Sequence, residues 1–254
     1  MSETQDILQK RWDACCRVLF HSELGGIQDY AAWLMKNNRE IRHSKSAISG
    51  KDVTFVITEY CEGGKRISFE EVDFSEKFTP LPINDIKDID SIISAVSERI
   101  FYSGSIVLGN SGKVERSTSI SDSFFMHETS LFSDCKYIGY SSHGKLCEDS
   151  FGCNGIGESQ FCIKCYETFR DKRCFELWVA QHCSDCYYSH NLSNCQDCLF
   201  SFNAKNLRYA VCNIEVGKEE YARIKKMLLD DINAKLGKNK RLEYSIYGIG
   251  TGKK

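Results

Sequence analysis

Cysteine is the residue type in this sequence whose number and spacing could support chemistry. The chain of 254 residues has 14 cysteines, and 11 of them lie between residues 135 and 212. Two CxxC pairs follow one another there, and two such pairs can offer four thiolates in the tetrahedral arrangement that zinc prefers. The sequence therefore contains a candidate site for zinc or an iron–sulfur cluster, with these four ligands: Cys183, Cys186, Cys195 and Cys198.

The same cysteines have a second interpretation, in which they pack inside a repeating fold. Only eight residues separate Cys186 from Cys195, which is shorter than the spacing between the two pairs of a zinc ribbon. A free cysteine behaves as a small apolar residue and is among the most frequently buried residue types. We favour a buried ladder of cysteines, and we keep the metal site as the alternative and a redox-active or disulfide-bonded role as a third.

A period of twelve residues runs from about residue 120 to 213. Columns taken at this period keep their chemical character, which is typical of a solenoid whose repeats pack only against their neighbours. Twelve residues are too few for a pair of helices, and the enrichment in Phe, Tyr, Ile, Val and Cys favours strands. We predict a small parallel β-helix with small side chains inside.

One step, from Cys135 to Ser150, spans 15 residues, so we expect three residues near Ser142–Gly144 to loop out. The reference column reads Ser123, Cys135, Ser150, Cys162, Cys174, Cys186, Cys198, Ala210.

The segments on either side of the repeats have helix and strand patterns. We predict an α+β N-terminal module over residues 1–100, a β-solenoid of cysteine-rich rungs over 101–216, and a capping helix with a basic tail over 217–254. The C-terminal helix is expected to cover one open end of the solenoid and the N-terminal module the other, because open strand edges promote aggregation. The predicted elements are helices at 4–22, 27–36, 88–100 and 218–236 and strands at 52–60 and 66–72.

An aromatic stripe follows the same period, four residues after the reference column. If these side chains point outward, they form a surface suited to a protein partner. The other interpretation is that they pack under the N-terminal module or the C-terminal helix. The candidate partner-binding residues are Tyr166, Trp178, His190 and Phe202, and the full column reads His127, Gly139, Asn154, Tyr166, Trp178, His190, Phe202.

Composition and motifs exclude several classes of function. A net charge of −2 argues against a nucleic-acid-binding protein, which normally has a strongly basic surface. The sequence lacks an apolar run of about 20 residues and an apolar signal core, so we expect no membrane partner and a cytoplasmic location. It also lacks phosphate-binding, dinucleotide-binding, serine-hydrolase and zinc-protease motifs, and we assign no catalytic residue.

The end of the repeats resembles a group of cysteine-rich repeat proteins encoded in microbial and phage genomes. The residues that carry the resemblance are the NCQDC rung, the segment Asn206–Tyr209 and the KEEY sequence at Lys218–Tyr221. In that group, NCxxC rungs are followed by a helix that starts with KEEY. The resemblance covers the solenoid and the C-terminal helix and implies the fold, but it implies no particular activity.

The leading functional hypothesis is a non-enzymatic, intracellular β-solenoid that acts as a scaffold or protein-interaction module. The first alternative is a protein that binds zinc or an iron–sulfur cluster through thiolates. The second alternative is an enzyme with its site between the N-terminal module and the solenoid. A scaffold predicts that cysteine substitutions cost stability in graded steps, whereas a metal site predicts a disproportionate loss when one thiolate is removed.

Overall fold

A computed structural model describes residues 2–56, 63–80, 84, 86–179, 187, 189 and 196–251. Short strands of four residues dominate its central part, where they alternate between two parallel sheets. One sheet contains the strands β6 (Gly112–Glu115), β8 (Phe124–His127), β10 (Lys136–Gly139), β12 (Glu148–Phe151), β14 (Gln160–Ile163) and β16 (Lys172–Phe175). The other contains β5 (Val107–Leu108), β7 (Thr118–Ser121), β9 (Ser130–Ser133), β11 (Ser142–Lys145), β13 (Asn154–Gly157) and β15 (Tyr166–Phe169).

These two sheets are the sides of a parallel β-solenoid, as the sequence predicts. One turn consists of two four-residue strands joined by two-residue corners, which gives twelve residues per turn. Parallel pairing connects one row of residues without a break along the whole solenoid. The row reads Glu115, His127, Gly139, Phe151, Ile163, Phe175, Tyr187, Leu199, Val211. The last parallel pair joins β17 (Gln196–Leu199) to β18 (Arg208–Val211), and β19 (Ile214–Glu215) pairs with β18 in antiparallel orientation.

The predicted 15-residue step is wrong, because the register between these turns is twelve residues. Lys136 pairs with Glu148, and Ser142–Lys145 forms the regular strand β11 rather than a loop. The error has a physical cause: every third residue points into the solenoid, so an offset of three residues moves one interior column onto the next. The true neighbour of Cys135 in the next turn is therefore Cys147, and Ser150 belongs to a different interior column.

The inward pattern arises from a left-handed backbone residue at every third position. Between residues 119 and 176, the residue before each interior side chain has φ between 47° and 72°. This conformation is costly for most residues, and Asp, Asn and Gly tolerate it best. Accordingly, four aspartates occupy it, namely Asp122, Asp134, Asp149 and Asp197, and the first two of them lie at corners between strands. The interior side chains are Ile120, Ser123, Met126, Thr129, Phe132, Cys135, Ile138, Ser141, Cys147, Ser150, Cys153, Ile156, Ser159, Cys162, Cys165, Thr168, Asp171, Cys174 and Leu177.

Helix α1 (Glu3–Phe20) lies along the side of the solenoid rather than across its end. Ser2 caps it through a reciprocal hydrogen-bond pair with Gln5, and its apolar face contacts β6 through β16. Trp12 is fully buried and its ring meets the ring of Phe151 edge-on at 5.5 Å. Phe20 packs in the same way against Phe175, at 5.1 Å.

The other N-terminal elements are shorter than predicted. A 3-10 turn (Ile27–Tyr30) leads into α2 (Ala31–Met35), and the antiparallel strands β1 (Arg42–Lys45) and β2 (Asp52–Phe55) follow. The strand β3 (Arg66–Ser68) pairs with β4 (Tyr102–Gly104) in parallel, next to the first turn of the solenoid. The hairpin predicted between 52–60 and 66–72 includes residues 57–62, which lie outside the described residues. The helix α3 (Ile89–Ser97) is confirmed, with Asp88 as its N-cap.

Helix α4 (Lys218–Asn239) confirms the predicted C-terminal helix and extends three residues further. It contacts β18 at the end of the solenoid and also packs against α1. The Tyr30 hydroxyl donates to the Leu236 carbonyl at 3.2 Å, and the Asn233 amide donates to the Phe20 carbonyl at 2.9 Å. The capping helix is therefore tied to the N-terminal region as well as to the last turn.

Candidate functional site

The interior cysteines form hydrogen bonds that explain why serine and cysteine interchange along the solenoid. At the corners, the backbone N–H of one turn points along the axis to the side chain twelve residues earlier. The Cys153 N–H donates to Ser141 Oγ at 3.0 Å, and the Cys165 N–H donates to Cys153 Sγ at 3.4 Å. Between residues 117 and 165, each serine or cysteine at a corner in turn donates to the carbonyl two residues before it, as Ser141 does to Gly139 at 2.8 Å.

Corner positions therefore favour a small side chain that both donates and accepts, whereas strand positions do not. The nine buried cysteines of the described chain are all free, and seven of them lie in these interior columns. Burial raises the pKa of Cys15 and Cys16, which pack between α1 and the solenoid. Thiols held in this way are structural rather than reactive.

The predicted metal ligands fall largely outside the described residues. Cys183, Cys186 and Cys195 are not among them, and Cys198 is fully buried in the solenoid interior. The Cys198 thiol lies 3.6 Å from the Gln196 carbonyl oxygen and 3.7 Å from that of Leu207. Across the part of the chain that the structure describes, no group of three or more His, Cys, Asp or Glu side chains is arranged to hold a metal ion. The four-thiolate site remains a prediction.

The aromatic residues predicted to bind a partner share one outward row. Tyr166 and Trp178 form a parallel bridge in adjacent turns, and Phe202 lies two further periods along. Their exposure rises along the row: Tyr166 is buried, Trp178 is half-buried and Phe202 is 52% exposed. His190 lies outside the described residues. The corrected register removes His127 and Gly139 from this row, since Gly139 pairs with Phe151 and not with Asn154.

The chain's own C-terminal segment covers one end of the aromatic row. This segment, residues 241–251, follows α4 and is called the strap below. The Tyr247 ring lies 4.9 Å from the Tyr166 ring and 5.6 Å from the Trp178 ring, measured between centroids. The Tyr166 hydroxyl also accepts a hydrogen bond from the Asn37 amide at 3.3 Å. The buried end of the row is therefore covered by segments far away in sequence.

Two buried ionisable residues lie beneath the strap and α2. Glu176 is fully buried, and one of its carboxylate oxygens accepts the Ile246 N–H at 2.8 Å. Its other oxygen has no hydrogen-bond partner among the described residues. Burial raises the pKa of Glu176 to about 7, against the opposing charge of Lys164. A buried carboxyl with one oxygen that lacks a hydrogen-bond partner lowers the stability of the fold. Such a carboxyl is therefore a candidate functional group.

Lys164 occupies the same row as Glu176, one turn earlier. It is 1% exposed, and its ammonium donates to the Trp33 carbonyl at 2.9 Å and lies 5.3 Å from the Trp33 ring centroid. Burial lowers the pKa of Lys164, and Glu176 acts in the opposite direction. Lys164, Glu176 and the aromatic row thus form one continuous site with the strap over it. Sequence reasoning missed this pair because the twelve-residue period places both residues in one row but does not indicate which segments cover that row.

The junction of the N-terminal module and the solenoid holds a second polar cluster. His43 on β1 lies with Nδ1 3.0 Å from the Thr54 hydroxyl and Nε2 3.2 Å from a Glu128 carboxylate oxygen. Arg116 donates to the other oxygen of Glu128. Although a hydroxyl, an imidazole and a carboxylate occur in the order of a catalytic triad, Thr54 is only 3% exposed. The cluster therefore anchors β1 and β2 to the first turns of the solenoid.

Comparison with known proteins assigns no family to this chain: no protein-family model matches it, and no curated protein matches it. Among the helices in the described ranges, none has the length and apolar character needed to cross a bilayer.

Proposed function

We propose that this protein is a non-enzymatic β-solenoid scaffold that binds a partner protein through its aromatic row. The observation that carries the proposal is the row itself: Tyr166 and Trp178 pair in adjacent turns, and the aromatic side chains pass from buried Tyr166 to half-buried Trp178 and to exposed Phe202, two periods after Trp178 in the sequence. Aromatic residues that remain accessible on a rigid surface are typical anchors of protein interfaces. The regular register of the solenoid keeps their spacing fixed, so little ordering is needed when a partner binds.

A reducing, cytoplasmic location is part of this proposal. The described cysteines are all free thiols, which suits a compartment that keeps thiols reduced. We also propose that the chain belongs with the cysteine-rich repeat proteins that its C-terminal sequence resembles.

Photo-crosslinking from the row tests the proposed function. A photoreactive amino acid is placed at Phe202, and in a matched variant at Lys172, which is exposed on the other sheet of the solenoid. We expect a discrete crosslinked protein from position 202 that is absent from position 172 and is weakened by Trp178→Ala. The same products from both positions would contradict a docking role for the row.

A further inference from the structure

We propose that the strap is an intramolecular ligand: it occupies a peptide-docking cleft formed by Tyr166, Trp178 and Glu176, and a turn-forming segment of a partner protein with the same chemistry takes its place. This inference rests on the proposed function and names the kind of partner that the aromatic row accepts.

The contacts of the strap define what the cleft recognises. Ile246 is 4% exposed, and its backbone N–H is donated to the buried carboxyl of Glu176. The next residue, Tyr247, places its ring against Tyr166 and Trp178. Ile246 and Tyr247 lie in a turn closed by hydrogen bonds from the Gly248 and Ile249 N–H groups to the Ser245 carbonyl. The cleft therefore fits an aliphatic residue followed by an aromatic one, in a turn that presents a main-chain N–H to the carboxyl.

The strap is held more loosely than the helices that cover the rest of the solenoid. Tyr244 is 42% exposed and Tyr247 is 48% exposed, whereas Trp12 of α1 is fully buried. A cavity of about 590 Å³ separates part of the strap from α4, and another of about 410 Å³ lies between it and α2. Segments with few buried contacts open at low free-energy cost, so the strap is the covering element best suited to leave.

A partner can make a contact beyond the strap that the strap itself does not make, and this contact would favour displacement of the strap. Phe202 lies on the same row as Trp178 and is left exposed. A partner segment that takes the place of Ile246 and Tyr247 can extend along the row to Phe202. The strap does not make that additional contact, so a longer partner segment gains affinity over it.

Binding of a peptide added in trans tests this inference in the full-length chain. The probe is a fluorescent peptide with the sequence of residues 241–251, measured by anisotropy against the unmodified chain and Tyr247→Ala. The unmodified chain should bind weakly because its own strap competes, and Tyr247→Ala should bind about tenfold more tightly. Phe169→Ala is the matched control, since it removes a ring of similar exposure, 46%, from another row.

Two further variants make the result specific to the cleft. Ile246→Pro removes the donated N–H without removing the Tyr247 ring and should also tighten binding of the peptide. Adding Trp178→Ala to Tyr247→Ala should abolish the gain. Equal affinity for the unmodified chain and both strap variants, or binding unaffected by Trp178→Ala, would overturn the inference.

Light scattering separates an outside partner from a second copy of the chain. Dimers of the unmodified chain that dissociate when the peptide is added would show exchange of straps between copies and would overturn the assignment to an outside partner. The proposed function fails separately, if position 202 gives no specific crosslink even though the peptide binds.

Discussion

The interior of the solenoid and its outer covering are stabilised in different ways. Inside, the serine and cysteine side chains are small and bond to backbone groups of their own or the adjacent turn, as Ser141 does to Gly139 and Cys153. Outside, large aromatic side chains pack against segments that lie more than 70 residues away in sequence, such as Trp12 on Phe151 and Tyr247 on Tyr166. The interior contacts therefore recur with the sequence repeat, whereas the outer contacts are formed by segments that do not repeat, such as α1 and the strap.

The largest expected effect comes from removing a buried aromatic side chain of α1. Trp12→Ala should lower the free energy of unfolding by about 3–5 kcal/mol, because it deletes a fully buried ring that packs on Phe151. Chemical denaturation monitored by circular dichroism measures the change. Leu146→Ala, at a position 52% exposed on the solenoid, should change stability by less than about 0.5 kcal/mol. Equal effects of the two substitutions would mean that α1 contributes no more than a surface residue.

The pH dependence of the strap is the next largest effect. With the strap closed, the pKa of the Glu176 carboxyl is raised to about 7 from its ordinary value of 4.5. Burial under the strap raises this pKa, whereas the hydrogen bond from the Ile246 N–H lowers it. We expect burial to dominate, so that closing the strap takes up a proton and closure weakens as pH rises from about 4.5 to 7. The change is smaller than the roughly 3 kcal/mol of the full shift and levels off above pH 7, where both states are ionised.

Peptide binding measured at pH 5, 6 and 8 checks this dependence, with Glu176→Gln as the control that removes the titration. Lys164, Lys36 and the hydroxyls of Tyr166 and Tyr247 are the other titratable groups that act on this site, and they remain in the Gln variant. In Tyr247→Ala, whose strap no longer competes, binding in trans should weaken as pH rises, because the peptide buries Glu176 as the strap does, and it should stay level when Glu176→Gln is added. The same slope in both would assign the effect to another group.

Substitutions at two neighbouring glycines distinguish the energetic cost of backbone strain from the cost of crowding against α2. Gly152 and Gly155 both have left-handed φ, of 70° and 72°. A Cβ at Gly152 would lie 3.0 Å from the Leu34 carbonyl oxygen of α2, whereas at Gly155 its nearest neighbour would be 3.6 Å away. We expect Gly155→Ala to cost about 1 kcal/mol through strain alone and Gly152→Ala about 2–3 kcal/mol through strain and crowding. Thermal unfolding of the two variants measures the difference, and equal losses would show that α2 yields freely.

The smallest expected effect distinguishes corner from strand positions inside the solenoid. Ser141→Ala removes the acceptor of the buried Cys153 N–H and should cost about 1–2 kcal/mol, while Ser141→Cys should be nearly neutral. At the strand position Ser150, the hydroxyl donates to the Glu148 carbonyl, and Ala should cost less than at Ser141. Denaturation midpoints of the three variants rank these effects, and a larger loss at Ser150 would refute the distinction.

The same contrast explains what could be predicted from the sequence. The solenoid and its small interior residues follow from the period, because each turn repeats the same contacts. The register was predicted wrongly at Ser150, since inward side chains recur at every third residue and columns of similar character can be exchanged. Tyr166 and Trp178 were correctly placed on one row because they lie within a stretch of uniform period.

The covering could not be predicted, because its contacts do not repeat. The N-terminal module was expected at one end of the solenoid, yet α1 lies along its side, where the row from Phe151 to Leu199 is apolar. Residues after α4 were predicted as a basic tail, although Ile246 and Tyr247 are apolar residues that dock on the aromatic row. Their spacing carries no period that would indicate where on the solenoid they bind.

Hydrogen–deuterium exchange on the unmodified full-length chain tests most directly the claim that a releasable segment covers a rigid repeat. The amides of residues 242–251 are predicted to exchange at least about a hundredfold faster than those of residues 130–175, because opening the strap leaves the solenoid intact. Addition of the peptide in excess should speed exchange in the strap still further while the solenoid stays protected. Equal protection of the two regions would show that the strap is a permanent part of the fold and would contradict the account.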